Sequence, residues 1–401
     1  MIKKIARSYT ALAILFFNTA VVFLGVNALL FGAFWLRDRG KVPIPPRRDM
    51  VTEKYGDELL VRAYPGMDTA QIHSLLQETW GWKQPFEAYV HFKESPRQGK
   101  YVNVHQAGFR VSADQGPWPP SPNTYNVFVF GGSTTFSYGL PDDQTVPSNL
   151  QRALAARITA PVRVYNFGVG SYQSTQERIL FQELLIKAYR PKLAVFIDGL
   201  NDFAYPDVPS GTFLLRRLTR APAPPKRLEA LANWPIVQFA QGLRRRLTSS
   251  PENDQPDPNG APRSWAEESD AAISPDVVDA VIARYLANKR QIEAVAHEFG
   301  VQPVFVWQPI PFYKYDNTYH LFSPKDRGIN RNAKTGYERM AAVLHSEPAG
   351  ADFVWGADIQ ETLREPLYVD SIHYTAAMSD RFARYIVGLL GERRLLSDCC
   401  S

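Results

Sequence analysis

From Ser8 to Trp35 the chain carries no charged residue, and most positions are Leu, Ile, Val, Phe, Ala or Gly. At about 1.5 Å per residue, a helix over this run exceeds the roughly 30 Å hydrocarbon core of a bilayer. A cleaved signal peptide has an apolar stretch of only about 7–15 residues before a small-residue cleavage site. Here the run is longer and ends in the interfacial aromatics Phe34 and Trp35. Residues 8–36 are therefore expected to form an uncleaved, single-pass membrane anchor behind a basic segment, residues 1–7, that holds Lys3, Lys4 and Arg7. Asn18 and Asn27 are its main polar interruptions, either tolerated in lipid or paired with a neighbouring helix. Simple counting of Lys3, Lys4 and Arg7 against Arg37, Arg39, Lys41, Arg47 and Arg48 keeps the body in the cytoplasm. A lone N-terminal helix behind a short basic segment behaves instead as a signal-anchor, and an extracytoplasmic body is the expectation adopted.

The 401 residues leave room for a large domain with attachments. Lys and Arg number 45 against 40 Asp and Glu, and no basic block alternates with aromatics, which argues against a nucleic-acid partner. Cys399 and Cys400 are the only cysteines, too few for a disulfide framework or a structural zinc site. They lie in a tail, residues 397–401, expected to fray, although adjacent terminal cysteines are also open to lipidation.

Residues 37–120 read as a linker and an aromatic-rich lead-in. Val42 to Pro46 is proline-stiffened. Asp68 or Thr69 is placed to cap a helix whose stripe of Ile72, Leu75, Leu76 and Trp80 suits a core or interdomain contact. Residues 121–396 then alternate strand with helix. Short apolar runs at Asn126–Phe130, Val162–Phe167, Leu193–Ile197 and Val301–Trp307 read as buried strands. Gln176–Tyr189 and Pro275–Phe299 read as amphipathic helices between them. Strands of that kind imply a parallel α/β sheet covered on both faces, with reactive groups on loops at the carboxyl ends. A Pro- and Arg-rich insertion, about 205–272, interrupts the pattern, and Ser249–Pro262 within it reads as disordered.

The loops after the strands carry the chemistry. Gly131-Gly132-Ser133-Thr134-Thr135 turns sharply and leaves Ser133 with little cover, although alone it is as well explained as a helix cap. Asn166-Phe167-Gly168-Val169-Gly170-Ser171 can offer backbone N–H groups, and Gly199-Leu200-Asn201-Asp202 can aim an amide into the same cleft. Near the C-terminus, Asp370-Ser371-Ile372-His373 brings a carboxylate to an imidazole, on a turn or a first helical turn. Each element is common by itself. Together, and in this order after successive strands, they supply a nucleophile, a base, an orienting acid and oxyanion donors.

In these four blocks the sequence resembles the SGNH hydrolase (GDSL esterase/lipase) family over roughly residues 120–395. The resemblance implies a three-layer α/β/α sandwich with a parallel, flavodoxin-like sheet. It also implies a serine esterase acting on an ester-bearing substrate, lipid or acylated glycan, without cofactor or metal. Carried over residue by residue, it makes Ser133 the nucleophile, Asp370 and His373 the acid and base, and Ser133, Asn201 and Ser171 the oxyanion donors, with Gly170 as the alternative to Ser171. Two positions depart from the family pattern: Gly132 stands where many members carry Asp, and Ser171 where a glycine is usual. An O-acyltransferase acting on an envelope polysaccharide, or a catalytically silent glycan-binding protein, would use the same fold.

Other chemistries fit poorly. Position 173 is Gln, so the Gly168–Gly170 segment fails the dinucleotide fingerprint, and no phosphate-binding P-loop occurs. Thr135 replaces the last glycine of a Gly-x-Ser-x-Gly elbow. His73, His91, His105, His297, His320 and His345 are scattered, and His297-Glu298 lacks the second histidine of a zinc helix. Asp198 and Asp202 are expected to be structural. Trp307 to Pro311 ends the fourth strand and either lines the cleft or packs.

Overall fold

The computed structural model describes residues 2–38, 49–82, 84–204, 234, 236–237, 273–322 and 329–396. The proline-rich stretch 42–46, residues 205–272 apart from those three positions, and Cys399 and Cys400 lie outside the described residues. The chain divides into two compact units.

The first unit is built on helix α1 (Ile2–Asp38). Its segment Thr10–Ala33 has a mean hydropathy of 2.2 and is long and apolar enough to cross a membrane. Asn27 is satisfied within this unit: its Nδ2 donates to Phe23 O at 2.9 Å, and its Oδ1 accepts the Ile236 N–H at 3.1 Å. Pairing of this kind offsets the cost of an amide in an apolar helix.

The second unit holds the sheet together with the segment from Asp49 to Pro120. That segment contains helices α2 (Met50–Tyr55), α3 (Asp57–Ala63) and α4 (Thr69–Trp80), and a small hairpin of β1 (Phe86–Glu87) and β2 (His91–Phe92). Asp68 is the α4 cap, in a reciprocal capping box with Gln71. Then follow β3 (Tyr125–Gly131), α5 (Ser133–Phe136), α6 (Val146–Ala155), β4 (Val162–Gly168), α7 (Ser174–Ile186), β5 (Leu193–Asp198) and α8 (Leu200–Ala204). After the undescribed residues come α9 (Pro275–Glu298), β6 (Gln302–Trp307), α10 (Ile329–Ser346), β7 (Phe353–Trp355) and α11 (Ala376–Glu392).

All five strands of the main sheet are parallel, in the order β4-β3-β5-β6-β7. Counted along the chain this is 2-1-3-4-5, the flavodoxin-like doubly wound order. Side-chain alternation separates the two faces. Phe128, Phe130, Phe196 and Phe305 face a core shared with α7, α9 and α10, whereas Val127, Val129, Val195, Val304 and Val306 face one shared with α6 and α11. Both faces are dry, which is why the strands read as continuous apolar runs. The first and third strands in sequence, β3 and β5, are neighbours, and chain order reverses there. A crevice opens at the carboxyl ends of such a pair.

Candidate active site

Ser133 begins α5 directly after β3, and Asn201 lies in α8 directly after β5. The switch point therefore brings both to one place. The turn around Ser133 is tight: Phe136 N–H donates to Gly132 O at 3.0 Å and Tyr138 N–H to Ser133 O at 3.1 Å. Gly132 lies close to the Asn201 amide: a Cβ there would collide with Asn201 Nδ2. Asn201 Nδ2 donates to Tyr172 O at 2.7 Å, which ties the amide to the loop after β4.

On that loop the two candidate donors differ. The Gly170 N–H donates to Glu94 Oε1 at 3.3 Å, and Gly170 O accepts from Gln84 Nε2 at 3.3 Å. Ser171 adopts φ 68°, the left-handed conformation that usually selects glycine.

Asp370 and His373 sit on a turn rather than a helix. The turn is closed by an antiparallel bridge between Tyr368 and Tyr374 and by Val369 N–H donating to His373 O at 2.8 Å. Asp370 Oδ1 accepts the N–H groups of Ile372 and His373, each at 2.8 Å, and His373 Nδ1–H donates to Asp370 Oδ2 at 2.6 Å. Burial pushes the Asp370 carboxyl up, but the charge of His373 and these hydrogen bonds outweigh it and hold the group below its ordinary value. His373 Nε2 is buried and has no hydrogen-bond partner among the described residues.

Ser133 and His373 are linked through their neighbours. The Tyr138 ring stacks on His373, with centroids 5.5 Å apart and planes at 22°, and Trp80 meets the same imidazole edge-on at 5.5 Å. Thr134 Oγ1 and Tyr374 OH, each next in sequence to one of the pair, meet at Gln308: Thr134 Oγ1 donates to Gln308 Oε1, and Tyr374 OH, which donates to Pro309 O at 2.7 Å, lies 3.3 Å from the same oxygen. Ser133 Oγ and His373 Nε2 are not hydrogen-bonded to each other in this structure.

Several participants were not legible in the sequence. Glu94, Gln84 and Tyr138 reach the site through hydrogen bonds distant along the chain, and Arg97 through its guanidinium over the Phe136 ring. Arg110, fully buried, collects the carbonyls of Phe136, Ser137 and Leu140 behind the Ser133 turn and pairs with Asp142 at 2.8 Å. Trp80, expected only as core or interdomain packing, also touches the imidazole. Beneath Asn201, Asp198, Asp202 and Glu177 form a buried acidic group. Burial above all, and then mutual repulsion for Glu177 and Asp198, raises these carboxyls, while Ser174 Oγ–H donates to Asp202 Oδ1 at 2.7 Å. Among the described residues no three His, Cys, Asp or Glu side chains converge closely enough to hold a metal ion.

No protein-family model and no curated protein matches the chain. Solved structures do. An acetylxylan esterase from Geobacillus stearothermophilus is similar at 14% identity, covering 67% of this chain and 94% of that one, with a TM-score of 0.36. A lipase from a goat rumen metagenome is similar at 10% identity, covering 66% and 97%, with a TM-score of 0.38. TesA is similar at 16% identity, covering 67% and 99%, with a TM-score of 0.35. The fold assignment itself rests on the strand order and register of the sheet.

Proposed function

We propose that this chain is a membrane-anchored serine esterase of SGNH type. What carries the reading is the 2.6 Å bond between Asp370 and His373, whose buried Nε2 has no hydrogen-bond partner among the described residues and whose ring stacks on Tyr138, the residue that closes the Ser133 turn. Asp370 holds the imidazole with Nδ1 protonated, so Nε2 accepts the Ser133 proton as Oγ attacks the ester carbonyl. The imidazolium then protonates the leaving alcohol. Water, deprotonated by the same Nε2, releases the acid from the acyl-serine.

The tetrahedral oxyanion receives the Ser133 N–H, the free N–H of the Asn201 amide and the Ser171 N–H. Ser171 holds a left-handed φ of 68° at the position where the family pattern has glycine, which supports it over Gly170 as the donor. The apolar segment Thr10–Ala33 supports anchoring in a bilayer; the extracytoplasmic side for the body rests on the signal-anchor reading of the short basic segment before it. Labelling by a fluorophosphonate and turnover of an activated acetyl ester, both abolished in Ser133→Ala, test the catalytic reading. A folded wild-type chain that neither labels nor turns over overturns it.

A further inference from the structure

Glu94 belongs to the segment that precedes the sheet, and its side chain is 3% exposed. A carboxylate so buried is costly unless every lone pair is used. Its Oε1 accepts from Tyr138 OH at 2.7 Å, Gln84 Nε2 at 3.0 Å and Gly170 N–H at 3.3 Å. Its Oε2 accepts from Arg97 Nη1 at 3.4 Å. Two of these donors touch the catalytic apparatus proposed above. Tyr138 is the ring stacked on His373, and Gly170 is the residue whose peptide leads into Ser171 at φ 68°.

We propose that Glu94 is a positioning residue for ester cleavage: it locks the 170–171 turn so that the Ser171 N–H faces the oxyanion, and it holds the Tyr138 ring against His373. This role rests on the esterase reading. A negative charge near a developing oxyanion opposes it unless compensated. Arg97 supplies that compensation. Its guanidinium lies over Phe136, in the short helix that Ser133 begins, at 5.4 Å, and over Trp82 at 5.5 Å. One carboxylate from the lead-in thus ties together the oxyanion loop and the face of the general base.

The test is steady-state turnover of p-nitrophenyl acetate by the full chain in detergent, together with inhibition by a trifluoromethyl ketone, which forms a tetrahedral adduct. Glu94→Ala is expected to lower kcat by at least about tenfold with KM little changed, and to weaken ketone binding by a similar factor. Glu94→Gln keeps an oxygen that accepts from Tyr138 and Gly170, and is expected to stay within about fivefold of wild type. If Glu94→Ala does not fold, Glu94→Asp carries the same expectation, because it withdraws the carboxylate by one methylene while keeping its charge. Wild-type kcat and ketone affinity in either variant overturn the proposal even where stability falls, as does a Glu94→Gln no better than Glu94→Ala. A wild-type chain without Ser133-dependent turnover overturns the esterase reading and this role with it. A wild-type-like Glu94 variant overturns this role alone.

Discussion

Gly132 and Asn201, from loops after adjacent strands, approach so closely that a single methyl group on Gly132 would collide with the Asn201 amide nitrogen. Gly132→Ala is therefore expected to act by displacing Asn201. Asn201→Ala should lower kcat by about 10²–10³, the usual effect of removing one oxyanion donor. The double variant should be little worse than Asn201→Ala, because both changes remove the same interaction. A double-mutant cycle on kcat decides this, and simple additivity would refute the displacement.

Asp370 makes two separable predictions. Asp370→Asn keeps the shape but presents His373 with the wrong tautomer, and kcat should fall by about 10⁴. The carboxyl also titrates below its ordinary value of 3.8 in the folded chain. An unfolded chain then binds that proton more readily, so the stabilisation is present above the ordinary value and is lost as pH falls through the lower folded one. Thermal midpoints measured from about pH 5 downward should drop more steeply for wild type than for Asp370→Asn. Parallel curves would count against the shift.

Glu177 titrates in the opposite sense. Burial, then Asp198 and Asp202, raise its carboxyl well above the ordinary 4.5, so the folded chain keeps a proton that the unfolded chain has already released. Stability is then lost as pH rises from the ordinary value through the folded one. Glu177→Gln should gain stability over wild type, and the gain should grow between about pH 5 and pH 8. Thermal unfolding at the two values measures it. A pH-independent difference would show that the cluster is not protonated.

Arg110 has no exposed atom to lose to solvent, yet it supports the Ser133 turn through three carbonyls and one carboxylate. Burial lowers its pKa and Asp142 opposes that shift. Arg110→Met fills similar space but strands those acceptors and the Asp142 charge, and should cost about 3–5 kcal/mol in denaturant unfolding. A loss within experimental error would mean that the turn is held elsewhere.

What local sequence determined here is what local physics controls. β3 to β6 were legible because strands buried on both faces must be continuously apolar and are bounded by glycine or polar turns. Asp370 and His373 were legible because three residues are enough to close their hydrogen bond. The α4 stripe and its Asp68 cap were legible for the same reason. β7, at three residues, is too short to carry a period, and the hairpin of β1 and β2 is shorter still. Strand patterns cannot say that the first strand lies inside the sheet beside the third; the family resemblance implied it, the tertiary structure shows it, and that crossing is what brings Ser133 to Asn201. Only the tertiary structure placed Glu94 against Gly170, 76 residues away, and Thr134 against Gln308, 174 residues away. Such pairs leave no mark in composition or spacing, because a buried hydrogen bond depends on where the chain returns in space and not on its neighbours in sequence.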